Sequence, residues 1–429
     1  MKIYCETYGC TMNQGDTELL LGKLEKAGHK IVEKLEDSEI VIVNTCAVKR
    51  TTLNRVIYRL KELHEKTDKK VIVAGCLPLI DYEKIEKIGE FAGIISCLTV
   101  DKVNEVVRRI SEGEKGIKII KGHSEKLSES RYRTNKISAP VSIAEGCVSN
   151  CSYCCVKFAR GKLRSFDPEK IVKEVITELE KGRKEIYITT QDTAAYGIDL
   201  EGKTDLCYLL ERLSSIPGDF KIRVGMMNPK NAKRLMPNLL RSFDSDKVYD
   251  FLHLPVQSGN NNILQKMNRD YTVEDFTEIV KSFREKFSDL YLATDIIVGF
   301  PGESNEAFED SCDLLKEIRP DKVNLTRFTP MPGTEAKNME QVRSEEKKRR
   351  SKRMATIHKG ISLEINKKYV GRVEKGLVLK EGKKGGYEAR LKNYKPIIID
   401  QGDPGDFVEI EITEAKPTYL MGKNRGVIK

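Results

Sequence analysis

Hydrophobic and polar positions change rhythm three times along this chain. Up to about residue 112, short runs of aliphatic and β-branched residues alternate with stretches whose apolar positions recur every three or four residues. The runs at Lys2–Thr7, 39–44, 70–74 and 93–96 predict strands, and the segments 16–27, 51–65, 82–90 and 102–110 predict helices. Strands that are apolar on both faces and separated by helices predict a parallel sheet covered on both sides. A polar, charged stretch over 113–136 breaks the pattern and reads as a linker.

From residue 137 the strand–helix alternation resumes. Strand signals fall at 141–144, 185–190, 221–226, 249–254, 292–298 and 322–326. A helix starting at Pro168 has Asp167 as a natural cap. Six such units predict a partial (βα)6 barrel with its site at the carboxyl ends of the strands. The segment 344–366 opens with Glu345 and Glu346 and continues with Lys347, Lys348, Arg349 and Arg350. It reads as a solvated helix, with RNA contact as the sharper alternative. From 367 to 429, short strand signals at 373–379, 396–400 and 407–413 are separated by Gly and Pro, which predicts a small β-barrel. The expected fold is therefore α/β: a Rossmann-like amino-terminal domain (1–112), the linker (113–136), a barrel with its trailing helix (137–366) and a carboxyl-terminal barrel (367–429).

Composition narrows the function classes. The chain has 429 residues, and no apolar run approaches the ~20 residues that cross a bilayer. The first residues, Met1-Lys2-Ile3-Tyr4-Cys5-Glu6, lack the apolar stretch of a signal peptide. The expected location is the cytoplasm, with no membrane partner. The formal charge of +10 points to an anionic partner, RNA first. Eleven cysteines, an odd number at uneven spacings, fit a disulfide framework poorly and argue for metal or redox chemistry.

The spacing of some of those cysteines is the strongest chemical signal. Cys147, Cys151 and Cys154 form CxxxCxxC directly after the first barrel strand. Three thiolates are too few for a closed structural zinc site, but they suit an iron–sulfur cube with one iron left open. Cys155 adjoins Cys154 and could compete as a ligand, although the step from Cys151 to Cys154 makes the tighter loop. Cys10, Cys46 and Cys76 each lie just past the carboxyl end of a predicted parallel strand, where an open α/β sheet forms its binding crevice. Gly9 and Gly75 beside them allow close backbone approach. Any one of the three could be an ordinary core cysteine; three at equivalent positions are expected to converge. Cys5, Cys97, Cys155, Cys207 and Cys312 are assigned no chemical role.

These residues resemble a known family. CxxxCxxC after the first strand of a βα barrel looks like the radical S-adenosylmethionine (SAM) superfamily. The segments at 144–165 (ending ARGKLRS), 189–197 (TTQDTAAYG), 253–269 (HLPVQSGNNNILQKMNR) and 295–303 (DIIVGFPGE) are similar to the methylthiotransferases. So are ETYGCTMNQGD (6–16), NTCAVK (44–49) and AGC (74–76), which match that family's amino-terminal domain. The tail from Tyr369 looks like its TRAM domain.

The resemblance implies two 4Fe–4S clusters and SAM as cofactors. Cys147, Cys151 and Cys154 match the ligands of the SAM cluster, and Cys10, Cys46 and Cys76 those of an auxiliary cluster. It places Gln191 and Asp192 near the SAM amino group, Gln257 and Ser258 near the ribose, Ile297 and Gly299 beside the adenine, and Tyr153 in the cluster loop. Each of these could instead fix a loop. Glu303 could be a catalytic-face carboxylate or a helix cap. The implied reaction is methylthiolation of N6-threonylcarbamoyladenosine at position 37 of tRNA, by radical C–H activation, sulfur insertion and methylation. Tyr387, Arg390, Lys392, Tyr394 and Lys395 supply the basic and aromatic groups suited to RNA. The expected partner is a tRNA anticodon stem-loop met by a monomeric enzyme; the electron donor and sulfur source are unspecified. Isopentenyladenosine is the alternative substrate, methylthiolation of a ribosomal-protein aspartate a more distant one, and a non-catalytic RNA-binding iron–sulfur protein the alternative of another class.

Overall fold

A computed structural model describes residues 1–48, 50–127 and 130–428. Lys49, which closes the 44–49 motif, Ser128 and Glu129 of the 113–136 stretch, and the terminal Lys429 lie outside the described residues.

The first strand run forms a six-stranded parallel sheet in the order Lys30–Ile31, Lys2–Thr7, Ile40–Thr45, Lys70–Gly75, Gly93–Ile95, Ile117–Ile119. Alternation within the central strands explains why they read as continuously apolar. Val41, Val43, Val71 and Val73 face the helix Arg50–Lys66, which buries Leu53, Val56, Leu60 and Leu63 against them. Ile40, Ile42, Ile72 and Ala74 face the opposite side, against Leu20 and Leu24 of the helix Thr11–Lys26 and Val103, Val106 and Val107 of the helix Val103–Ser111. Both faces are covered, as a parallel sheet requires.

The stretch expected as a linker is instead built into the fold. Its Ile117–Ile119 is the sixth strand of that sheet. Lys126 and Arg131, buried despite their charge, pair with Glu145 and Glu174 of the following domain. A buried charge is tolerated only when paired, and a charged sequence alone does not reveal whether partners exist.

The barrel consists of two three-stranded parallel sheets, Lys221–Val224/Glu185–Thr189/Ser138–Ser142 and Phe251–His253/Tyr291–Val298/Lys322–Arg327. A parallel bridge between Ile222 and Val248 joins them into one open arc. Asp167 caps the helix Pro168–Glu180 by accepting from Lys170 N at 3.0 Å. The long helix Ser344–Lys367 is not simply a solvated rod: Lys347, Arg350, Met354, Ile361, Ser362 and Asn366 are buried. Glu303 resolves its ambiguity here. Ser304 is the cap of the helix Asn305–Ile318, while Glu303 Oε2 accepts from Gly299 N and from Arg350 Nη1, both at 2.6 Å.

The carboxyl-terminal strands close a five-stranded barrel, Val373–Glu381, Tyr387–Leu391, Pro396–Ile399, Leu420–Val427, Phe407–Ala415. Much of the basic and aromatic set expected to meet RNA holds this barrel against the amino-terminal ends of the βα-barrel strands. Tyr394, at φ 68°, packs its ring 4.8 Å from Phe251 and 5.0 Å from Tyr249. Arg390 stacks on Tyr394 at 4.8 Å. Lys395 pairs with Asp321, and Lys392 lies 3.6 Å from Asp246. A cavity of about 340 Å³ in this seam, lined by Asp250, Asp289, Lys392 and Asn393, is at the opposite end of the strands from the cysteines. Among the described residues no helix is long and apolar enough to cross a membrane.

Candidate active site between the two sheets

Cys10, Cys46 and Cys76 follow the ends of three adjacent parallel strands, and the structure brings them together. Asn13, in the first turn of the helix Thr11–Lys26, is the hub. Its Oδ1 faces Cys10 Sγ at 3.6 Å and Cys76 Sγ at 3.8 Å. Its Nδ2 donates to Thr45 O at 2.9 Å and to Tyr8 O at 3.2 Å, which ties the loops carrying Cys46 and Cys10. A Cβ on Gly9 would sit 2.8 Å from Cys46 Cβ, and one on Gly75 would sit 2.4 Å from Thr45 O. Both positions also have positive φ. Only glycine permits this approach.

The CxxxCxxC loop is braced from the barrel. Gln191 Oε1 accepts from Gly146 N at 2.8 Å. Ser152 N and Oγ donate to Met267 O and Lys266 O, and Ser149 Oγ accepts from Asn228 Nδ2. Arg269 Nη1 donates to Cys151 Sγ at 3.2 Å. Tyr153 and Ile297 share an apolar cluster with Phe300 and Phe328. Both oxygens of Asp192 are engaged, by Asn228 N at 2.9 Å and Asn231 Nδ2 at 2.7 Å, and burial raises its pKa. Ser258 Oγ accepts from Asn260 N. Gln257, at φ 70°, bridges to the next strand through Asp295 O and Ile297 N. Gly299 N is held by Glu303.

The two cysteine sets lie on either side of one buried ionic seam. Arg160 ends the short helix that follows Cys155. Its Nη2 pairs with Asp16 Oδ2 at 2.7 Å and reaches Asn13 Oδ1 at 3.3 Å, and its Nη1 pairs with Glu145 Oε1 at 2.7 Å. Lys126 Nζ closes the network on Asp16 and Glu145. Cys155 packs in one apolar cluster with Cys76 and Cys97. Burial pushes the Cys46 and Cys154 thiols up to about 11. Cys76 is instead lowered to about 6, chiefly by the neighbouring Cys97 thiol and then by the Arg160 charge.

Three thiols per set leave one iron of a cube without a protein ligand, and the donor chemistry fits a 4Fe–4S cluster at each. The guanidinium on Cys151 and the backbone N–H of Ser149 at 3.4 Å from Cys147 Sγ are the hydrogen bonds that thiolate ligands use. Among the described residues, no group of three His, Cys, Asp or Glu side chains is set to hold a single metal ion.

Three family descriptions match along the chain: "Uncharacterized protein family UPF0004" over residues 2–96, "Radical SAM superfamily" over 141–315 and "TRAM domain" over 367–423. A Pyrococcus abyssi protein named "Probable threonylcarbamoyladenosine tRNA methylthiotransferase" is 45% identical over 426 residues, 99% of either chain. The chain belongs to this methylthiotransferase family. An Aquifex aeolicus protein named "tRNA-2-methylthio-N(6)-dimethylallyladenosine synthase" is 34% identical, over 100% of this chain and 99% of its own. Identity is thus higher to the relative named for threonylcarbamoyladenosine than to the one named for dimethylallyladenosine. The radical S-adenosylmethionine methyltransferase TsrM from Kitasatospora setae superposes with a TM-score of 0.58 at 14% identity, over 78% of this chain and 75% of that chain, which shows the shared fold. The chain is a radical SAM enzyme of a family that uses SAM and 4Fe–4S clusters.

Sequence reasoning passed over several residues of this methylthiotransferase site. Asn13, Arg160 and Arg269 all lie inside the quoted motifs, one residue after Met12, at the start of ARGKLRS and at the end of the 253–269 segment. Cys97 and Cys155, assigned no chemical role, pack with Cys76 in one apolar cluster. For these two, no sequence signal distinguished them from core cysteines.

Proposed function

We propose that this chain methylthiolates N6-threonylcarbamoyladenosine at position 37 of tRNA, and that it does so as a monomer, in the cytoplasm, on the anticodon stem-loop. The observation that supports the reading is that the loops carrying Cys10, Cys46 and Cys76 are tied by Asn13 on one side of a buried ionic seam whose other side carries the CxxxCxxC loop. Cys147, Cys151 and Cys154 would hold one 4Fe–4S cluster with SAM; Cys10, Cys46 and Cys76 would hold the other. When bound, these groups supply a radical able to open an unactivated C–H bond and the sulfur to be inserted.

The chain's own residues position and shield. The Gln191 contact to Gly146 fixes the start of the cluster loop, so the three thiols are presented from one rigid turn. Tyr153, Ile297 and Phe300 form a dry wall beside it, which keeps water from a reactive intermediate. Asp192 orders the loop before the helix Pro229–Leu235 and so shapes the neighbouring strand end, where SAM would lie. Gln257, Ser258 and Gly299 hold the turns on the far side of that opening. The amino-terminal sheet, the βα barrel and the small barrel act as three units, of which the third both meets tRNA and seals the base of the second.

Nucleoside mass spectrometry of tRNA tests the activity: deletion of the gene should abolish 2-methylthio-threonylcarbamoyladenosine, and its persistence would refute the reading. Joint replacement of Cys10, Cys46 and Cys76 by Ala should remove about half of the bound iron and sulfide while SAM cleavage remains.

A further inference from the structure

The seam between the cysteine sets contains one side chain that touches both sides. Arg160 is carried by the helix that immediately follows the CxxxCxxC loop, so its backbone moves with Cys154. Its guanidinium crosses into the amino-terminal domain and reaches the Asn13 amide oxygen. That oxygen is the one facing the Cys10 and Cys76 thiols. The same guanidinium pairs with Asp16, one turn further along the Asn13 helix, and with Glu145, two residues before Cys147. Arg160, Asn13, Asp16, Glu145 and Cys76 are buried, while Cys10 is exposed.

We infer that Arg160 is a positioning residue that couples the two cluster sites, setting the placement and reduction potential of the auxiliary cluster from the barrel side. The inference rests on the two-cluster reading above. A planar guanidinium can bind two carboxylates and an amide oxygen at fixed angles, which an ammonium cannot. The charges explain why the group must be a cation. Asp16 and Glu145 face Arg160 and Lys126, with Arg164 3.7 Å from Glu145, so the seam carries no excess negative charge before any thiolate forms. Reduction adds negative charge beside the seam, and hydrogen bonds and net charge near the sulfurs set a cluster's potential. Removing the guanidinium therefore makes reduction harder. Asn13 Oδ1, which accepts from the guanidinium, lies beside the auxiliary thiols Cys10 and Cys76.

The test uses full-length enzyme, reconstituted anaerobically, with iron and sulfide assayed and the potentials of both clusters followed by electron paramagnetic resonance. Arg160→Gln should shift the auxiliary cluster to a more negative potential and the SAM cluster by less. Arg160→Lys should recover only part of that shift, because the charge returns without the fork. Asn13→Ala should change the auxiliary signal and leave the SAM-cluster signal in place. Should Arg160→Gln fail to fold by circular dichroism, Arg160→Lys and Asn13→Ala decide. Two clusters with potentials and spectra unchanged in these variants would overturn the inference alone. A wild-type enzyme with a single cluster would overturn the two-cluster reading and the inference with it.

Discussion

Lys395 Nζ and Asp321 Oδ1 form an ion pair 2.6 Å long, with 2% and 5% of their side chains exposed. The lysine belongs to the small carboxyl-terminal barrel and the aspartate to the loop entering the strand Lys322–Arg327. Asn366 Oδ1 accepts a second bond from the same ammonium at 2.8 Å. The pair therefore fastens one domain to the other. Removing one partner of a buried pair leaves the other charge stranded, which costs about 3–5 kcal/mol. Lys395→Ala should lower the thermal midpoint and leave the salt dependence of tRNA binding unchanged, because a lysine that neutralised a phosphate would reduce that slope. Thermal melts and a salt titration of tRNA affinity measure both.

The second buried seam makes a similar prediction with a different readout. Lys126 lies between Asp16 and Glu145, at 2.7 and 2.6 Å, and also donates to Cys97 O at 2.9 Å. Lys126→Met leaves Asp16 and Glu145 with Arg160 and, 3.7 Å from Glu145, the partly exposed Arg164. The expected loss is again about 3–5 kcal/mol, and it should be read as a lower urea midpoint. Limited proteolysis of Lys126→Met should cut between 120 and 126, the part of the stretch that lies between the buried apolar anchors Ile117 and Leu127 and depends on these bonds.

Most of the scaffold was legible because its strands follow simple periodicity. Ile40–Thr45 is buried at every position, and the sequence IVIVNT announces that. The cysteines were legible because strand ends position them. What stayed hidden is tertiary. Leu420–Val427 reads LMGKNRGV and looks like a loop, yet Gly422 lets it close the barrel against Glu411 O. Lys126, Arg160 and Lys395 are three cations among 75 Lys and Arg residues, and charge alone does not separate a solvated side chain from one that meets a buried carboxylate. Asn13 stood before the helix expected from residue 16 and drew no role, and its place as hub depends on three loops arriving from elsewhere.

His358 gives the fold a pH dependence. It sits on the helix Ser344–Lys367 with Nε2 3.2 Å from Asp321 O, and Lys322 and Asp321 are the charged neighbours. Burial lowers its pKa below the ordinary 6.5; the hydrogen bond to the Asp321 carbonyl pulls the other way, and the Lys322 charge adds a smaller lowering. The unfolded chain therefore takes up a proton before the folded one does. The stability contribution is present above about pH 6.5 and is lost as pH falls toward the folded pKa. His358→Gln should shrink the difference between thermal midpoints measured at about pH 7.5 and about pH 5.5.

Arg269 offers the sharpest test of the cluster loop itself. Its Nη1 reaches Cys151 Sγ at 3.2 Å, its Nε reaches Tyr271 OH at 3.1 Å, and its guanidinium lies 4.9 Å from the Tyr271 ring. Tyr271 OH in turn donates to Val256 O at 2.8 Å, so the cation is fixed to the barrel wall. A thiolate ligand with such a donor is oriented and partly neutralised; without it, both orientation and charge balance suffer. Losing a supporting partner of this kind reduces metal affinity or activity about 10- to 100-fold. Arg269→Met should thus lower iron retention and SAM cleavage by that order. Tyr271→Phe keeps the cation and ring, and should retain most of both. Iron assays after gel filtration and quantified 5′-deoxyadenosine separate the two variants, and equal losses in both would mean that the wall, rather than the guanidinium, supports the loop.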